Sequence, residues 1–205
     1  MRKFVAFLVA VAATVVVAGA AGARPAVTIS LSRPTVVYGG NVTLSGKVSN
    51  NSAGESVQVM AEAYPATTFT ALGSPVTTTA GGHWRDVVEP TIQTSYKATW
   101  KGATSGTVTV KVRPMVTLTL VNAATGTFST KVTAARAFTG KFVNVQRVTT
   151  TGVVTVKKVK LDSSSSATFH VRLHSGLNRL RVVLPASQAA PGYIGGFSKV
   201  LRVTR

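Results

Sequence analysis

Histidines and carboxylates are the residues most able to do chemistry, and the chain has three of the first and five of the second, with no cysteine. His83, Asp86 and Glu89 form the one short-range cluster with metal or acid–base character. Side chains alternate between faces along a strand, so His83 and Asp86 point apart, and no second histidine stands near them in sequence. His170 and His174 lie four apart, which on a helix would bring two ligands together. On a strand the same spacing separates them by about 13 Å, too far to share one ion. No G-x-S-x-G elbow, triad, dyad or metal cage can be assembled from this inventory. The expectation is a protein that is not an enzyme, with no catalytic residue, cofactor or metal site. Trp84 and Trp100 are chemically suited to stack on sugars, but a tryptophan in an alternating strand more often fills a core, and core is the reading taken.

The cations offer more. The chain carries 23 Lys and Arg against five acids, a net charge of +18. Arg24 to Arg113 holds eight cations against Glu55, Glu62, Asp86 and Glu89, whereas Pro114 to Arg205 holds thirteen against Asp162 alone. Alternation puts Lys158 and Lys160 on one face of their strand, Arg179 and Arg181 on one face of another, and His170, Arg172 and His174 on one face of a third. Arg179, Arg181, Arg202, Lys158, Lys160 and Arg172 are therefore the candidate polyanion-binding residues. A field of this sign attracts polyanions over roughly one Debye length, about 8 Å at physiological salt. The competing reading is a solvated face that keeps the protein soluble. Cations near the expected sheet edges, such as Arg33, Lys157 and Arg205, would also discourage edge-to-edge pairing. A pI near 11.4 raises nucleic acid as a partner. With no helix to enter a groove and no aromatics interleaved with the arginines, only nonspecific phosphate contact is expected there.

The elements that position these residues read as short alternating runs separated by Gly, Pro, Asn and Ser. In the first half they fall near Val27 to Ser32, Asn41 to Ser49, Glu55 to Ala63, Val76 to Thr79, His83 to Glu89, Thr94 to Trp100 and Thr104 to Arg113. In the second they fall near Val116 to Val121, Thr127 to Ala135, Lys141 to Val148, Val153 to Leu161, Ala167 to Leu173, Asn178 to Leu184 and Ser198 to Thr204. Expected core positions include Val42, Leu44, Val57, Val59, Tyr96, Ala98, Trp100, Val108, Val110 and Val112. Beyond Pro114 they include Val116, Leu118, Leu120, Phe128, Val132, Val143, Val145, Phe169, Val171, Leu173, Leu180, Val182, Leu201 and Val203. Pro114 cannot donate to a ladder and holds Arg113 extended, so it ends one sheet and lets the next begin. Gly54-Glu55-Ser56-Val57-Gln58-Val59 corresponds to Gly140-Lys141-Phe142-Val143-Asn144-Val145, an offset of 86 residues that implies a tandem of whole domains.

Ahead of these runs, Met1-Arg2-Lys3 leads into an apolar stretch from Phe4 to Ala18 and then Ala21-Gly22-Ala23, the pattern of a cleaved signal peptide over residues 1–23. An uncleaved anchor is the alternative, although the apolar core is short for a span of about 20 residues. No later stretch is apolar enough to span a membrane. A secreted protein, extracellular or associated with the cell envelope, is expected, with domains at 24–113 and 114–205.

Tyr38-Gly39-Gly40-Asn41-Val42-Thr43-Leu44-Ser45-Gly46, Gly82-His83-Trp84, Thr94-Ser95-Tyr96-Lys97-Ala98-Thr99-Trp100, Ser105 and Val108 to Pro114 resemble bacterial secreted Ig-like repeats. The resemblance implies an all-β fold of two tandem immunoglobulin-like or fibronectin III-like antiparallel β-sandwiches, and proteins with such repeats serve as adhesins, surface stalks and appended modules. In its terms Tyr96 is a corner tyrosine bonded to nearby backbone, and Leu44 and Ala98 stand at the two cysteine positions. The fold carries no fixed activity. Two functions are therefore expected: attachment to an anionic cell-wall polymer or polysaccharide through the basic second domain, or a structural role through a surface protein partner. The loop from Pro185 to Gly196 precedes the last strand and faces domain one, so packing across the junction accounts for Tyr193 and Ile194.

Overall fold

Runs in which valine and threonine alternate recur along the chain, and both are stiff at χ1 and suited to a pleated surface, so these runs are committed to strands. A computed structural model describes residues 24–205, and the expected signal peptide lies outside them. The first unit contains β1 (Ser30–Leu31), β2 (Thr35–Val37), β3 (Val42–Lys47), β4 (Ser56–Ala63), β5 (Thr70–Ala71), β6 (Val76–Thr77), β7 (His83–Val88), β8 (Thr94–Trp100), β9 (Ala103–Thr104) and β10 (Val108–Arg113). One sheet has the order β1-β3-β7 and the other β2-β10-β8-β4-β5, with β6 beside β4 and β9 beside β8. The second unit contains β11 (Met115–Asn122), β12 (Thr127–Thr133), β13 (Phe142–Val148), β14 (Val153–Lys160), β15 (Ser166–His170), β16 (Leu177–Leu184), a short helix α1 (Ala186–Ala189), β17 (Gly196–Phe197) and β18 (Leu201–Thr204). Its sheets are β11-β12-β15 and β14-β13-β16, with β17 and β18 both on β16.

Both units therefore share one connectivity. β3 pairs with β7 as β12 pairs with β15 in one sheet, and β4 pairs with β8, which pairs with β10, as β13 pairs with β16, which pairs with β18, in the other. This is the immunoglobulin-like arrangement. Gly54 and Gly140 stand at equivalent turns, two residues ahead of β4 and β13, with φ of +80° and +74°. That left-handed region is readily available only to glycine.

Several strands depart from the sequence expectation, each for a local reason. The first expected strand reduces to β1 with an isolated bridge from Val27 to Val48, and a strand not expected, β2, follows Pro34. Proline has no amide to donate, so the chain leaves one sheet there and joins the other, where β2 runs parallel to β10. That parallel pair is the exception to the otherwise antiparallel fold. The segment near Val76 pairs with β4, next to the equally unexpected β5, so both short strands extend the larger sheet.

Both final strands are interrupted in the same way. Ser105 separates β9 from β10: its amide donates to the Ala98 carbonyl at 2.9 Å and its hydroxyl accepts from the Ala98 amide at 2.9 Å. Ser198 separates β17 from β18 and makes the same two bonds to Val182, at 2.8 and 2.9 Å. A serine hydroxyl takes the place of a backbone carbonyl in each ladder, which lets the strand bend without leaving a buried amide unpaired. Neither strand runs unbroken from Thr104 to Arg113 or from Ser198 to Thr204.

Core assignment follows the alternation. Leu44, Val57, Ala98, Val110 and Val112 are fully buried in the first unit, as are Phe128, Val143, Val145, Leu180 and Val182 in the second. Val108, Leu118, Leu120 and Leu201 are only partly buried against this core. Tyr96 is buried in the core. Burial pushes that phenol up to about 12, and Thr94 opposes the shift. Tyr96 fills the core, as the alternation leads one to expect.

The loop between β16 and β17 packs on the first unit. The Tyr193 hydroxyl donates to the Thr91 carbonyl at 2.8 Å and accepts from the Ala135 amide at 3.1 Å, so one side chain bonds both units. Ile194 donates to the Val112 carbonyl and Gln93 to the Gly192 carbonyl, each at 3.0 Å.

Replacing Ser105 or Ser198 with alanine strips the partner from a buried amide. Each change is expected to lower stability by about 1–3 kcal/mol. The two should add in the double variant because they lie in different units, as urea denaturation would measure.

Candidate functional site

The outer surface of β14-β13-β16-β18 carries five of the cations of the second unit. Lys160 lies opposite Phe142, Lys158 opposite Asn144, and Asn144 opposite Val183, while Gln146 lies opposite Arg181 and Arg179 opposite Arg202. Partners across a ladder share a face, so Lys158, Lys160, Arg179, Arg181 and Arg202 all point outward from one sheet. Adjacent strands are about 4.8 Å apart, which makes the face roughly 15 Å wide.

Local contacts fix part of it. The Arg181 Nε donates to the Gln146 Oε1 at 2.8 Å, and Lys158 Nζ sits 4.4 Å from the Phe142 ring centre. Arg179 and Arg202 are exposed and face each other in register, an unfavourable pairing unless solvent or an anion screens it. Exposed apolar side chains share the face, chiefly Leu177 at 54% and Phe197 at 58% exposure. Arg113 lies 5.5 Å from the Phe197 ring centre, tying this edge of the face to the first unit.

Arg172 is not on this face. β15 ends at His170, three residues before the expected end at Leu173, and Arg172 follows in an irregular segment on the opposite side of β13 and β14. The early end also changes the histidines: His170 and His174 line one cleft instead of standing apart along a continuous strand. The His170 Nδ1 is 3.0 Å from the Thr127 hydroxyl. Sequence reasoning missed Arg147 and Lys157, which line that cleft as well. A charge at inward parity was the available signal for both. A bulge at Val156 lies beside Lys157, where Val145 pairs with Lys157 and Gln146 with Thr155.

The remaining candidates are structural. Trp84 and Trp100 are buried, and the Trp100 Nε1 donates to the Glu55 Oε2 at 2.9 Å. The Asp86 carboxylate accepts from the Val87 amide at 2.8 Å. Among the described residues, no three His, Asp or Glu side chains converge as metal ligands would. Nor is any helix there long and apolar enough to cross a membrane.

Carboxylates do not neutralise the basic face. The ion pair found among the described residues, Lys101 to Glu55 at 2.9 Å, is in the first unit. Asp162, the lone acid of the second unit, is occupied in its own turn, where Oδ1 accepts from the Ser164 amide, the Ser164 hydroxyl and the Ser166 amide at 2.7–2.9 Å. The Ser166 backbone bond, then the Ser164 hydroxyl, hold its carboxyl below the usual range. Glu55 is lowered likewise, first by Lys101, then by Trp100 and Asn50.

No protein-family profile and no curated protein matches the sequence. Among solved structures, similarity extends to a tetra-tandem repeat from the extending region of a large adhesion protein, at 13% identity and a TM-score of 0.35 over 88% of this chain and 49% of that one. It extends also to a C-terminal 282-residue intimin fragment solved with the intimin-binding domain of its translocated receptor, at 13% identity and a TM-score of 0.42 over 86% and 62%. Bovine butyrophilin matches at 13% identity and a TM-score of 0.37 over 89% and 99%. The chain thus spans about half of the first of these and under two thirds of the second. None of these similarities carries a ligand or activity to this chain.

A carboxylate held below its unfolded value stabilises the fold above that value, and the contribution disappears as pH falls through the folded one. Asp162→Ala should therefore lower the urea midpoint at neutral pH. The gap to wild type should close on acidification through and below the ordinary carboxylate range.

Proposed function

We propose that this chain is a secreted, non-catalytic Ig-like module that attaches to an anionic polymer of the cell envelope through the outer sheet face of its second sandwich. The observation that carries the reading is the convergence of Lys158, Lys160, Arg179, Arg181 and Arg202 on one face without a carboxylate among them. A flat, strand-built surface suits an extended polymer, whose repeating anionic groups can lie across successive strands. Exposed cations add attraction by screened Coulomb interaction, so binding of this kind weakens as salt rises. The leader-like N-terminus supports export, and the sparse acid–base inventory supports a non-catalytic role.

Exposed Phe197 and Leu177 on the same face favour a second reading, in which a surface protein docks there. Buried aromatic anchors carry much of the energy of many protein interfaces, and uncharged contacts respond weakly to salt.

The test is retention of the protein on isolated cell envelopes across a salt series. Polymer attachment predicts steeply salt-dependent retention. Arg179→Ser, Arg181→Ser and Arg202→Ser together should weaken it by about threefold to a hundredfold, since exposed charge contacts are worth about 0.2–1 kcal/mol each. Retention that ignores salt and those three substitutions but is lost in Phe197→Ser would establish the protein-docking alternative instead.

A further inference from the structure

The open flank of the second sandwich holds a second concentration of positive charge, separate from the outer face. β14 and β15 are edge strands of the two opposing sheets, and a cleft of about 450 Å³ lies between β14 and the segment leaving β15. Arg147, Lys157, His170, Arg172 and His174 line it together with Val156 and Val171, and no carboxylate does.

Cations at the rim of a sandwich normally turn toward bulk water. Here Arg147 is drawn inward, and Lys157, although exposed, turns across the gap between the sheets. Arg147 is at inward parity near the end of β13, opposite Leu180 and Val154. Its Nη2 donates to the Arg172 carbonyl at 2.6 Å, its Nη1 meets the His174 Nε2, and its buried Nε has no partner. Lys157 reaches across the gap between the sheets, donating one proton to the His170 carbonyl at 3.2 Å, which leaves two for another acceptor. Bonds to carbonyls orient these side chains but leave their charge unneutralised.

We propose that this cleft is a binding site for a compact tetrahedral oxyanion, a phosphate or sulfate group. Lys157 and Arg172 supply charge-assisted donors from opposite walls, the histidines supply ring N–H groups, and Arg147 fixes the floor. Charge-assisted bonds of this kind are the stronger ones, and a planar guanidinium beside an ammonium matches an anion that offers several acceptor oxygens. The site does not depend on the outer face and would stand if attachment through that face failed.

The chain's three histidines make the test direct, because His83 lies in the first unit, away from the cleft. Inorganic phosphate is titrated into the full-length protein at constant ionic strength and pH, and the imidazole resonances of all three are followed by NMR. The expected result is saturable movement of His170 and His174 with His83 unmoved. Affinity should fall at least tenfold in Lys157→Ser/Arg172→Ser and stay unchanged in Arg179→Ser/Arg181→Ser/Arg202→Ser. Short-chain polyphosphate in place of phosphate separates the sources: tighter binding per phosphate at the same histidines assigns the cleft to a polymer, and equal binding to a free anion. Movement of all three histidines together, or a titration unaffected by Lys157→Ser/Arg172→Ser, would overturn the proposal.

Discussion

The second sandwich must hold thirteen cations in place with one carboxylate, and that carboxylate is tied into its own turn. Ion pairing therefore contributes little to its stability, and apolar packing has to outweigh self-repulsion. The largest fully buried side chains there are Phe128, Phe138, Leu180 and Leu184, drawn from both sheets and the connecting loop. Repulsion is kept tolerable by dispersing charge to the outer face and the open flank, where water and salt screen it. A surface that is unfavourable alone becomes favourable beside a polyanion, which is why the stability of this unit and its proposed ligand are one question.

The same economy governs the backbone. Ser105 and Ser198 each insert a hydroxyl into the ladder, so both sandwiches bend their last strand without orphaning an amide. In the second unit that bend places Gly196 and Phe197 on β16 and sends the preceding loop onto the first unit. Tyr193 then bonds Thr91 on one side and Ala135 on the other, while its ring meets Phe138 edge-on at 5.9 Å. Arg136 covers both rings and donates to the Ala189 and Ala190 carbonyls. Neighbouring units meet through specific bonds as well as through the single residue Pro114.

Period-two patterning makes much of this legible in the sequence. It identified Leu44, Ala98, Val143 and Val182 as core and placed Lys158, Lys160, Arg179 and Arg181 on outward faces, because a buried sheet face tolerates no slip in parity. What escaped were the places where a local event overrides the period. Pro34 sends the chain to the other sheet, a bulge at Val156 shifts the register of β14 on the side of Lys157 away from Lys158, and β15 stops at His170. Each is a single-residue decision in which alternation has no voice. Inward parity marks Arg147 and Lys157 in the sequence, but their meeting with His170, Arg172 and His174 in one cleft depends on the early end of β15, which alternation does not show.

The most direct test of this charge-centred account is the thermal unfolding midpoint of the full-length protein in linear polyphosphate, compared with sodium chloride at equal ionic strength. A ligand that binds the folded state alone raises the midpoint in proportion to its occupancy, whereas simple screening depends only on ionic strength. The account predicts a midpoint that climbs with polyphosphate well beyond the chloride control. Superimposable curves would contradict it and reduce the basic surface to a device for solubility.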